Sequence, residues 1–194
     1  EALVRVTGGA AEGDTLPMVV AVHGLGDTPE AFVELFDGFA ARARIVVPRA
    51  PEPYHGGFGW FPFESTPDDI GARADQLAEA IVAWRARHPT RGAPVITGFS
   101  QGGMLSFAVA VRRPDAVSAA FPVSGRLPMS LVPAAAPSGT RLAPIRAMHG
   151  TEDRLIEIGP TRALVETLRA RGFPAEPLRE HPGVAHTITR AMQD

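Results

Sequence analysis

The stretch VITGFSQGGMLSF, residues 95–107, places one serine between two glycines, directly after an apolar run and directly before a helical pattern. It fits G-x-S-x-G, with Ser100 at the turn between a strand and a helix. A side chain at Gly98 or Gly102 would collide where the strand and the helix pack closely around this turn. The stretch predicts a nucleophilic serine, and a structural serine in a glycine-rich turn is the alternative.

Apolar runs and amphipathic patterns alternate along the rest of the chain. Strands are predicted at 18–22, 44–48, 94–99, 117–123, 144–149 and 174–179, with a hairpin partner at 2–6. Helices are predicted from apolar stripes that run over 32–39, 70–84, 104–109 and 164–168. Because the strands are apolar throughout and alternate with helices, the predicted fold class is α/β, with a mainly parallel sheet covered by helices on both faces.

The size and composition of the chain limit its partners. With 194 residues, 45% of them hydrophobic, it is long enough for one packed domain, predicted over residues 1–194. A net charge of -2 without runs of like charge gives no footprint for nucleic acid. The absence of cysteine excludes disulfides, thiol nucleophiles and cysteine-bound zinc. We expect a small molecule as the partner and no cofactor.

The chain carries no targeting signal that the sequence reveals. No apolar run approaches the roughly 20 residues that cross a bilayer, so no transmembrane segment is predicted. The start, EALVRVTGGA, lacks the basic-then-apolar pattern of a secretory signal. We expect a cytoplasmic location. Because the chain starts at Glu1 and not at Met, the sequence leaves open whether a leader was removed. The sequence also leaves the oligomeric state open.

A serine hydroxyl needs a base, and the base needs an acid to orient it. In an α/β sheet of this kind the order along the chain is serine, acid, histidine. Asp153 follows the strand predicted at 144–149, and His186 follows the last predicted strand. Both positions lie at carboxyl ends of strands, where side chains converge over one edge of the sheet. We predict Asp153 as the acid and His186 as the base.

Other acids and histidines are weaker alternatives. The competing acids are Glu152, which points elsewhere in the turn, Asp115, which ends a helix, and Asp27, which lies upstream. His181 precedes a proline near the strand, which indicates a solvated turn residue, and His23 at a strand end indicates a structural hydrogen-bonding residue. A metal held by His23, His149, Asp153 and His186 is conceivable in space. No H-E-x-x-H or comparable local pair supports one, so no metal is predicted.

The oxyanion of a tetrahedral intermediate needs backbone N–H donors. The amide of Gln101, directly after the nucleophile, is the first candidate. In VVAVHGLGDT, residues 19–28, a strand runs into two glycines that let the backbone turn inward, so the amide of Leu25 is the second candidate. A dinucleotide site is not predicted, because a third glycine is missing at the required spacing.

Four segments, HGLGD, GFSQGG, HGTEDRLI and PGVAHTI, occur in this order and at separations that resemble one family. They are similar to the phospholipase/carboxylesterase branch of the α/β-hydrolases, which includes the acyl-protein thioesterases. The resemblance covers the chain from about residue 17 to residue 190. It implies Ser100 as nucleophile, Asp153 as acid, His186 as base, and the amides of Leu25 and Gln101 as the oxyanion hole.

The resemblance also implies a tryptophan near the site, and Trp60 in GFGWFPF matches. Family members commonly have an aspartate shortly after that tryptophan, whereas Phe61-Pro62-Phe63 follow here. We predict that Trp60, Phe61 and Phe63 line the substrate pocket. From the residues alone, these aromatics and Phe58 are either walls of an acyl pocket or ordinary core residues.

The predicted function is a serine hydrolase that cleaves carboxylic esters, thioesters or lysophospholipids through an acyl-enzyme. The chain between Ser100 and Asp153 is too short for a large cap domain. The bulky side chains of Phe61 and Phe63 are expected to fill part of the substrate pocket. We therefore expect short to medium acyl chains to be preferred. The alternative is a non-catalytic protein that binds a small molecule on a hydrolase fold.

Overall fold

The computed structural model describes residues 1–62 and 64–193. Its strands are β1 (Ala2–Val6), β2 (Met18–Val22), β3 (Arg44–Pro48), β4 (Glu52–Tyr54), β5 (Gly57–Gly59), β6 (Val95–Phe99), β7 (Ala119–Val123), β8 (Met148–Gly150) and β9 (Arg179–His181). Its α-helices are α1 (Pro29–Phe32), α2 (Pro67–Arg87), α3 (Gln101–Arg112), α4 (Ile158–Ala170) and α5 (Arg190–Gln193). Short 3-10 helices cover Val33–Phe36 and Met129–Leu131.

A seven-stranded sheet in the order β1-β3-β2-β6-β7-β8-β9 forms the centre of the molecule. All neighbouring strands in it are parallel except β1, which is antiparallel to β3. One apolar cluster packs α2, α3 and α4 with the sheet, and a smaller one packs the α1 region against β2 and β3. The predicted α/β class, with a mainly parallel sheet covered by helices, is confirmed.

The strand predicted at 2–6 forms, but it is not part of a hairpin with the next strand. Instead β1 pairs with β3, with Ala2 opposite Pro48 and Val6 opposite Arg44. Both edges of β2 are occupied, by β3 on one side and β6 on the other. The outer edge of β3 is therefore the place where β1 joins the sheet.

Helix α2 follows its predicted apolar spacing. The hydroxyl of Thr66 accepts the amide of Asp69, and the Asp69 carboxylate accepts the amide of Thr66, so the first turn is closed by a capping box. The buried face consists of Ile70, Gly71, Ala74, Leu77, Ala78 and Ile81. The helix packs against α3, whose residues are almost all buried. The sequence pattern predicted both helices correctly.

The helix predicted over 32–39 is much shorter than its apolar stripe. α1 ends at Phe32, and one 3-10 turn continues to Phe36. Asp37 is extended, and Gly38 has a φ of 76°, a left-handed conformation that glycine adopts readily and that ends helical structure. Phe39 then lies 40% exposed outside the helix.

The last two strands of the sheet are shorter than predicted and displaced toward the C-terminus. Of the segment predicted at 144–149, only its end enters β8, while Ile145 forms isolated bridges. The segment predicted at 174–179 reaches β9 only at Arg179. The reason lies in prolines at 144, 174 and 177, which have no N–H for the ladder.

The aromatic-rich segment 49–66 contains the hairpin β4–β5. Its two-residue turn is His55-Gly56, with φ values of 43° and 87°. Positive φ at both central residues matches the right-handed twist of the two strands. The hairpin packs against the loop after β2, where the amide of Gly26 donates to the Phe58 carbonyl at 2.8 Å.

The close approach of α3 to β2 at Gly102 generates a stability prediction. A Cβ on Gly102 of α3 would lie 1.9 Å from the Val22 carbonyl oxygen of β2, and backbone cannot yield as a flexible side chain does. Gly102→Ala should therefore lower the free energy of unfolding by at least about 2 kcal/mol, as overpacking does. Urea unfolding measures this loss.

Gly159→Ala is the matched control, because Gly159 is also helical and a Cβ there meets open space. That change should raise the free energy of unfolding by up to about 1 kcal/mol. A Gly102→Ala protein as stable as Gly159→Ala would contradict the close packing of α3 on β2.

Candidate active site

Ser100 lies where the structure turns sharply from β6 into α3. Its φ of 57° and ψ of -116° belong to a region that residues with side chains rarely adopt, which is typical of functional positions. A Cβ on Gly98 would lie 2.4 Å from the Gly102 carbonyl oxygen, so glycine is required beside this turn. The Ser100 amide donates to the Val123 carbonyl at 3.1 Å, which ties the turn to β7.

Asp153 lies in the turn after β8, with its carboxylate fully buried. Oδ1 accepts hydrogen bonds from the amides of Leu155 at 3.0 Å and Ile156 at 2.9 Å. Oδ2 lies 2.7 Å from Nδ1 of His186. The structure thus brings the predicted acid and base into direct contact across a sequence separation of 33 residues.

Burial acts to raise the pKa of Asp153, but other groups outweigh it. The hydrogen bond and positive charge of His186, together with the amides of Ile156 and Leu155, bring the pKa of Asp153 below its ordinary value. The carboxylate is therefore ionised at neutral pH. An ionised carboxylate accepts the Nδ1–H of His186 and selects the tautomer whose Nε2 is free to accept a proton.

The His186 ring also lies against the strand that carries Ser100. Its centroid is 4.7 Å from that of Phe99, the residue directly before Ser100. Within the described part of the chain, no hydrogen bond joins the Ser100 hydroxyl to His186. Such catalytic hydrogen bonds are commonly long in free enzymes and shorten when substrate binds.

His181, predicted as a solvated turn residue, is instead buried. It ends β9, pairs with Gly150 of β8, and is 8% exposed. Its Nε2 is buried without a hydrogen-bond partner in the described residues. Burial lowers the pKa of His181, which favours a neutral ring. The prediction failed because the β8–β9 pairing, which covers this residue, is a long-range contact.

The two predicted oxyanion donors belong to loops that meet at the nucleophile. A Cβ on Gly24 would lie 3.5 Å from Cβ of Ser100, so the loop after β2 packs directly on the serine turn. In the described residues, neither the amide of Leu25 nor that of Gln101 donates a backbone hydrogen bond. Both N–H groups are therefore available to an oxyanion, and their role in catalysis stays a prediction.

Hydrogen bonds from Trp60 and Gln101 hold these two loops together. Nε1 of Trp60 donates to the His23 carbonyl at 2.9 Å, at the start of the predicted oxyanion loop. The Trp60 amide donates to Oε1 of Gln101, and Nε2 of Gln101 donates to the Phe61 carbonyl, both at 2.9 Å. The sequence pattern did not reveal this network, because it joins three segments that are distant in the chain.

His23 has the structural role that its position predicts. Nδ1 donates to the Gly24 carbonyl at 2.7 Å, and Nε2 accepts the Ala50 amide at 3.3 Å. Burial lowers the pKa of His23, so the ring is neutral and both nitrogens are satisfied. In the residues that the structure describes, no group of histidine, aspartate or glutamate side chains is arranged to hold a metal ion.

Two of the aromatic residues predicted to line the pocket lie in the core. Trp60 is 3% and Phe61 5% exposed, and both belong to the larger apolar cluster. Phe58 is partly buried, with the Arg49 guanidinium 5.0 Å from its ring centroid. Phe63 lies outside the described residues. Burial favours the core alternative for Trp60 and Phe61, and their contact with substrate stays a prediction.

A groove of about 550 Å³ is separate from these residues. It runs along the sheet face beside the 3-10 turn Val33–Phe36 and α5, and its walls include Val95, Phe121 and Ile188. None of Ser100, Asp153 and His186 lines it.

None of the described helices combines the length and the apolar composition that a membrane-spanning segment requires.

The parallel sheet, the strained serine after β6 and the histidine–carboxylate pair at the same edge define the α/β-hydrolase class. The model of the phospholipase/carboxylesterase family matches residues 10–194, and the chain belongs to this family. The family assignment made from the four sequence segments is confirmed. The expectation of a carboxylesterase-type hydrolase is confirmed with it.

Relatives carry corresponding names. Carboxylesterase SOBER1 of Arabidopsis thaliana is 27% identical over 191 residues, which cover 88% of this chain and 83% of that protein. Esterase YpfH of Escherichia coli is 28% identical over 166 residues, 80% of this chain and 69% of that protein. A rice protein named probable inactive carboxylesterase is 28% identical over 180 residues, 81% of this chain and 73% of that protein.

Solved structures share the fold at lower identity. The crystal structure of esterase PE8 has a TM-score of 0.77 and 23% identity, covering 97% of this chain and 94% of that chain. Acyl-protein thioesterase 2 of Zea mays has a TM-score of 0.74 and 18% identity, covering 99% of this chain and 94% of that chain. These similarities support the fold class.

The network around the oxyanion loop generates a kinetic prediction. Trp60→Phe keeps an aromatic ring in the core but removes the N–H that binds the His23 carbonyl. Loss of this bond should loosen the loop that carries Leu25 and lower kcat on p-nitrophenyl butyrate roughly tenfold, with little change in KM. Trp84→Phe, at a partly buried position of α2, is the control and should retain kcat. Equal kcat values for the two variants would contradict the role of Trp60.

Proposed function

We propose that this protein is a serine esterase that hydrolyses small carboxylic esters through an acyl-enzyme on Ser100. Asp153 is the acid and His186 the base. The contact of 2.7 Å between His186 Nδ1 and the buried Asp153 carboxylate, beside the strained turn of Ser100, is the observation that carries the proposal. Membership of the phospholipase/carboxylesterase family supports the same chemistry.

Acylation follows from these assigned roles. Nε2 of His186 takes the hydroxyl proton as Oγ of Ser100 attacks the ester carbonyl carbon, and the carbonyl π electrons move to oxygen. The amides of Leu25 and Gln101 donate to that oxyanion, each stabilising it by about 3 kcal/mol. When the intermediate collapses, the ester C–O bond breaks. His186 gives its proton to the departing alcohol, and the acyl group stays on Ser100.

Deacylation repeats these steps with water as the nucleophile. His186 takes a proton from water as the water oxygen attacks the acyl-enzyme carbonyl, and the oxyanion occupies the same two amides. Collapse breaks the bond to Oγ, and the proton on His186 returns to Ser100. Throughout, Asp153 stays ionised and stabilises the positive imidazolium. The products are a carboxylic acid and the regenerated serine.

The proposed substrates are monomeric esters with short to medium acyl chains. The chain between Ser100 and Asp153 contributes α3, β7, one loop with a 3-10 turn, and β8, which leaves no room for a large cap domain. Thioesters are the second substrate type, because the similar maize structure is named acyl-protein thioesterase. p-Nitrophenyl esters from acetyl to palmitoyl and an acyl-thiol series compare these substrates directly.

Ser100→Ala tests the nucleophile. The variant should fold, since one hydroxyl is lost, while kcat on the best p-nitrophenyl ester should fall at least about 10⁴-fold. Labelling by a fluorophosphonate probe should also disappear. Ser106→Ala, at a second buried serine on α3, should keep both turnover and labelling. Retained labelling of Ser100→Ala would place the nucleophile elsewhere. A native protein without turnover or labelling would support the non-catalytic alternative.

The pH dependence tests the base. A neutral imidazole must accept the Ser100 proton, so kcat/KM should be low in acid and rise with pH to a plateau. His186→Gln should remove nearly all turnover together with this rise. His181→Gln should leave the profile unchanged, because that ring does not contact the acid. The opposite result would overturn the base assignment while keeping the serine hydrolase proposal.

A further inference from the structure

A third histidine contacts the acid of the proposed triad. His149 lies in β8 as the first residue of HGTEDRLI, and its side chain is fully buried. Its Nε2 lies 2.8 Å from the Ile156 carbonyl oxygen and 3.3 Å from Oδ2 of Asp153. The mechanism derived above gives this buried, titratable side chain no part.

The surroundings of His149 define which nitrogen carries the proton. Both neighbours of Nε2 are acceptors, so Nε2 carries the hydrogen, donates to the Ile156 carbonyl at 2.8 Å and lies 3.3 Å from Oδ2 of Asp153. Nδ1 is buried and has no partner within the described residues, which is consistent with an unprotonated nitrogen. Burial lowers the pKa of His149 against the opposing effects of the Ile156 carbonyl and Asp153. The ring is therefore a neutral donor at the pH where the esterase would work.

With His149, four N–H groups have their nitrogen within 3.3 Å of a carboxylate oxygen of Asp153. A carboxylate has about four acceptor positions. Here Oδ1 accepts the amides of Leu155 and Ile156, whereas Oδ2 lies 2.7 Å from Nδ1 of His186 and 3.3 Å from Nε2 of His149. His149 therefore shares one oxygen with the proposed base. Its bond to the Ile156 carbonyl also fastens the turn that supplies both amides.

We propose that His149 is a positioning residue of the triad, whose Nε2–H holds Oδ2 of Asp153 in line with His186 and disperses part of the carboxylate charge. The inference rests on the proposed function of Ser100, Asp153 and His186. It assigns His149 no contact with substrate.

The other charges near His149 leave Asp153 as its main ionic partner. Glu180 of β9 lies opposite His149 in the parallel pair, but its carboxylate binds Arg162 of α4 at 2.7 Å. That hydrogen bond lowers the pKa of Glu180, so the Glu180–Arg162 pair stays ionised and mutually neutralised. His186 is the remaining titratable group facing Asp153.

Removing the Nε2–H should change Asp153 in two ways. Oδ2 would keep only His186 as a donor, so more of its negative charge would act on the base and favour the protonated imidazolium. The acidic limb of kcat/KM would then move to higher pH. The carboxylate would also lose one anchor, so the plateau of kcat/KM should fall roughly tenfold, as expected for one hydrogen bond to a charged group.

Three substitutions separate the N–H from the rest of the ring. His149→Leu removes the Nε2–H, and with it both the contact with Asp153 and the hydrogen bond to the Ile156 carbonyl, while the unpartnered Nδ1 adds no further loss. His149→Asn carries an amide that reaches only the position of Nδ1, whereas His149→Gln reaches that of Nε2. His181→Leu is the matched control, because His181 is also buried with an unpartnered nitrogen but does not bind Asp153.

We expect His149→Leu and His149→Asn to show the lower plateau and an acidic limb shifted upward by a few tenths of a pH unit or more. His149→Gln should restore both, and His181→Leu should behave as the native protein. If His149→Leu does not fold, the comparison of the Asn and Gln variants still tests the proposal. Equal profiles for these two variants, or a native profile in His149→Leu, would overturn the proposal.

Proton NMR adds a readout that needs no turnover. The ring N–H of His186 is assigned by its absence from His186→Gln, and it should move downfield in His149→Leu and His149→Asn, where Oδ2 becomes a stronger acceptor. An unchanged resonance would overturn the inference. If the His186 resonance moves in the His149 variants but the native protein hydrolyses no ester, the proposed function is contradicted while the positioning contact between His149 and Asp153 is supported.

Discussion

The close approach of β2, β6 and α3 is the constraint on which the rest of the site depends. At Gly98 and Gly102, any Cβ would lie 2.8 Å or less from the Val22 carbonyl oxygen of β2. Because the backbones touch here, the chain must turn within one residue, and Ser100 adopts its strained conformation. The same contact sets the loop after β2 beside the serine, so the predicted nucleophile and the predicted oxyanion donors are positioned by the same packing of β2, β6 and α3.

A second requirement is the burial of a carboxylate without loss of its charge. Asp153 is 5% exposed, a placement that by itself favours the neutral acid. Backbone amides from its own turn and the His186 ring offset that cost. The turn after β8 is thus organised around one ionised side chain. His149, His181 and His186 lie near this end of β8 and β9. Of these three, His149 and His186 contact the Asp153 carboxylate, whereas His181 does not.

Family membership and site geometry support different parts of the functional conclusion. The family match identifies a carboxylesterase-type hydrolase, whereas a relative named probable inactive carboxylesterase shows why the fold alone does not establish turnover. In this chain the predicted acid and base are in contact, and Trp60 and Gln101 join the serine turn to the predicted oxyanion loop. These contacts, and not the overall fold, are the physical basis of the proposed esterase.

The sequence by itself determined the α/β class, helix α2 and the order of Ser100, Asp153 and His186 along the chain. It could do so because the hydrophobic periodicity, the helix capping and the steric demand for glycine each depend on only a few neighbouring residues. It also identified the family, since four short segments carry the resemblance. Only the tertiary structure decided that β1 joins β3, that His181 is buried, that Trp60 binds the His23 carbonyl, and that His149 reaches Asp153. Each of these depends on which distant segments pack together, and local spacing carries no information about that.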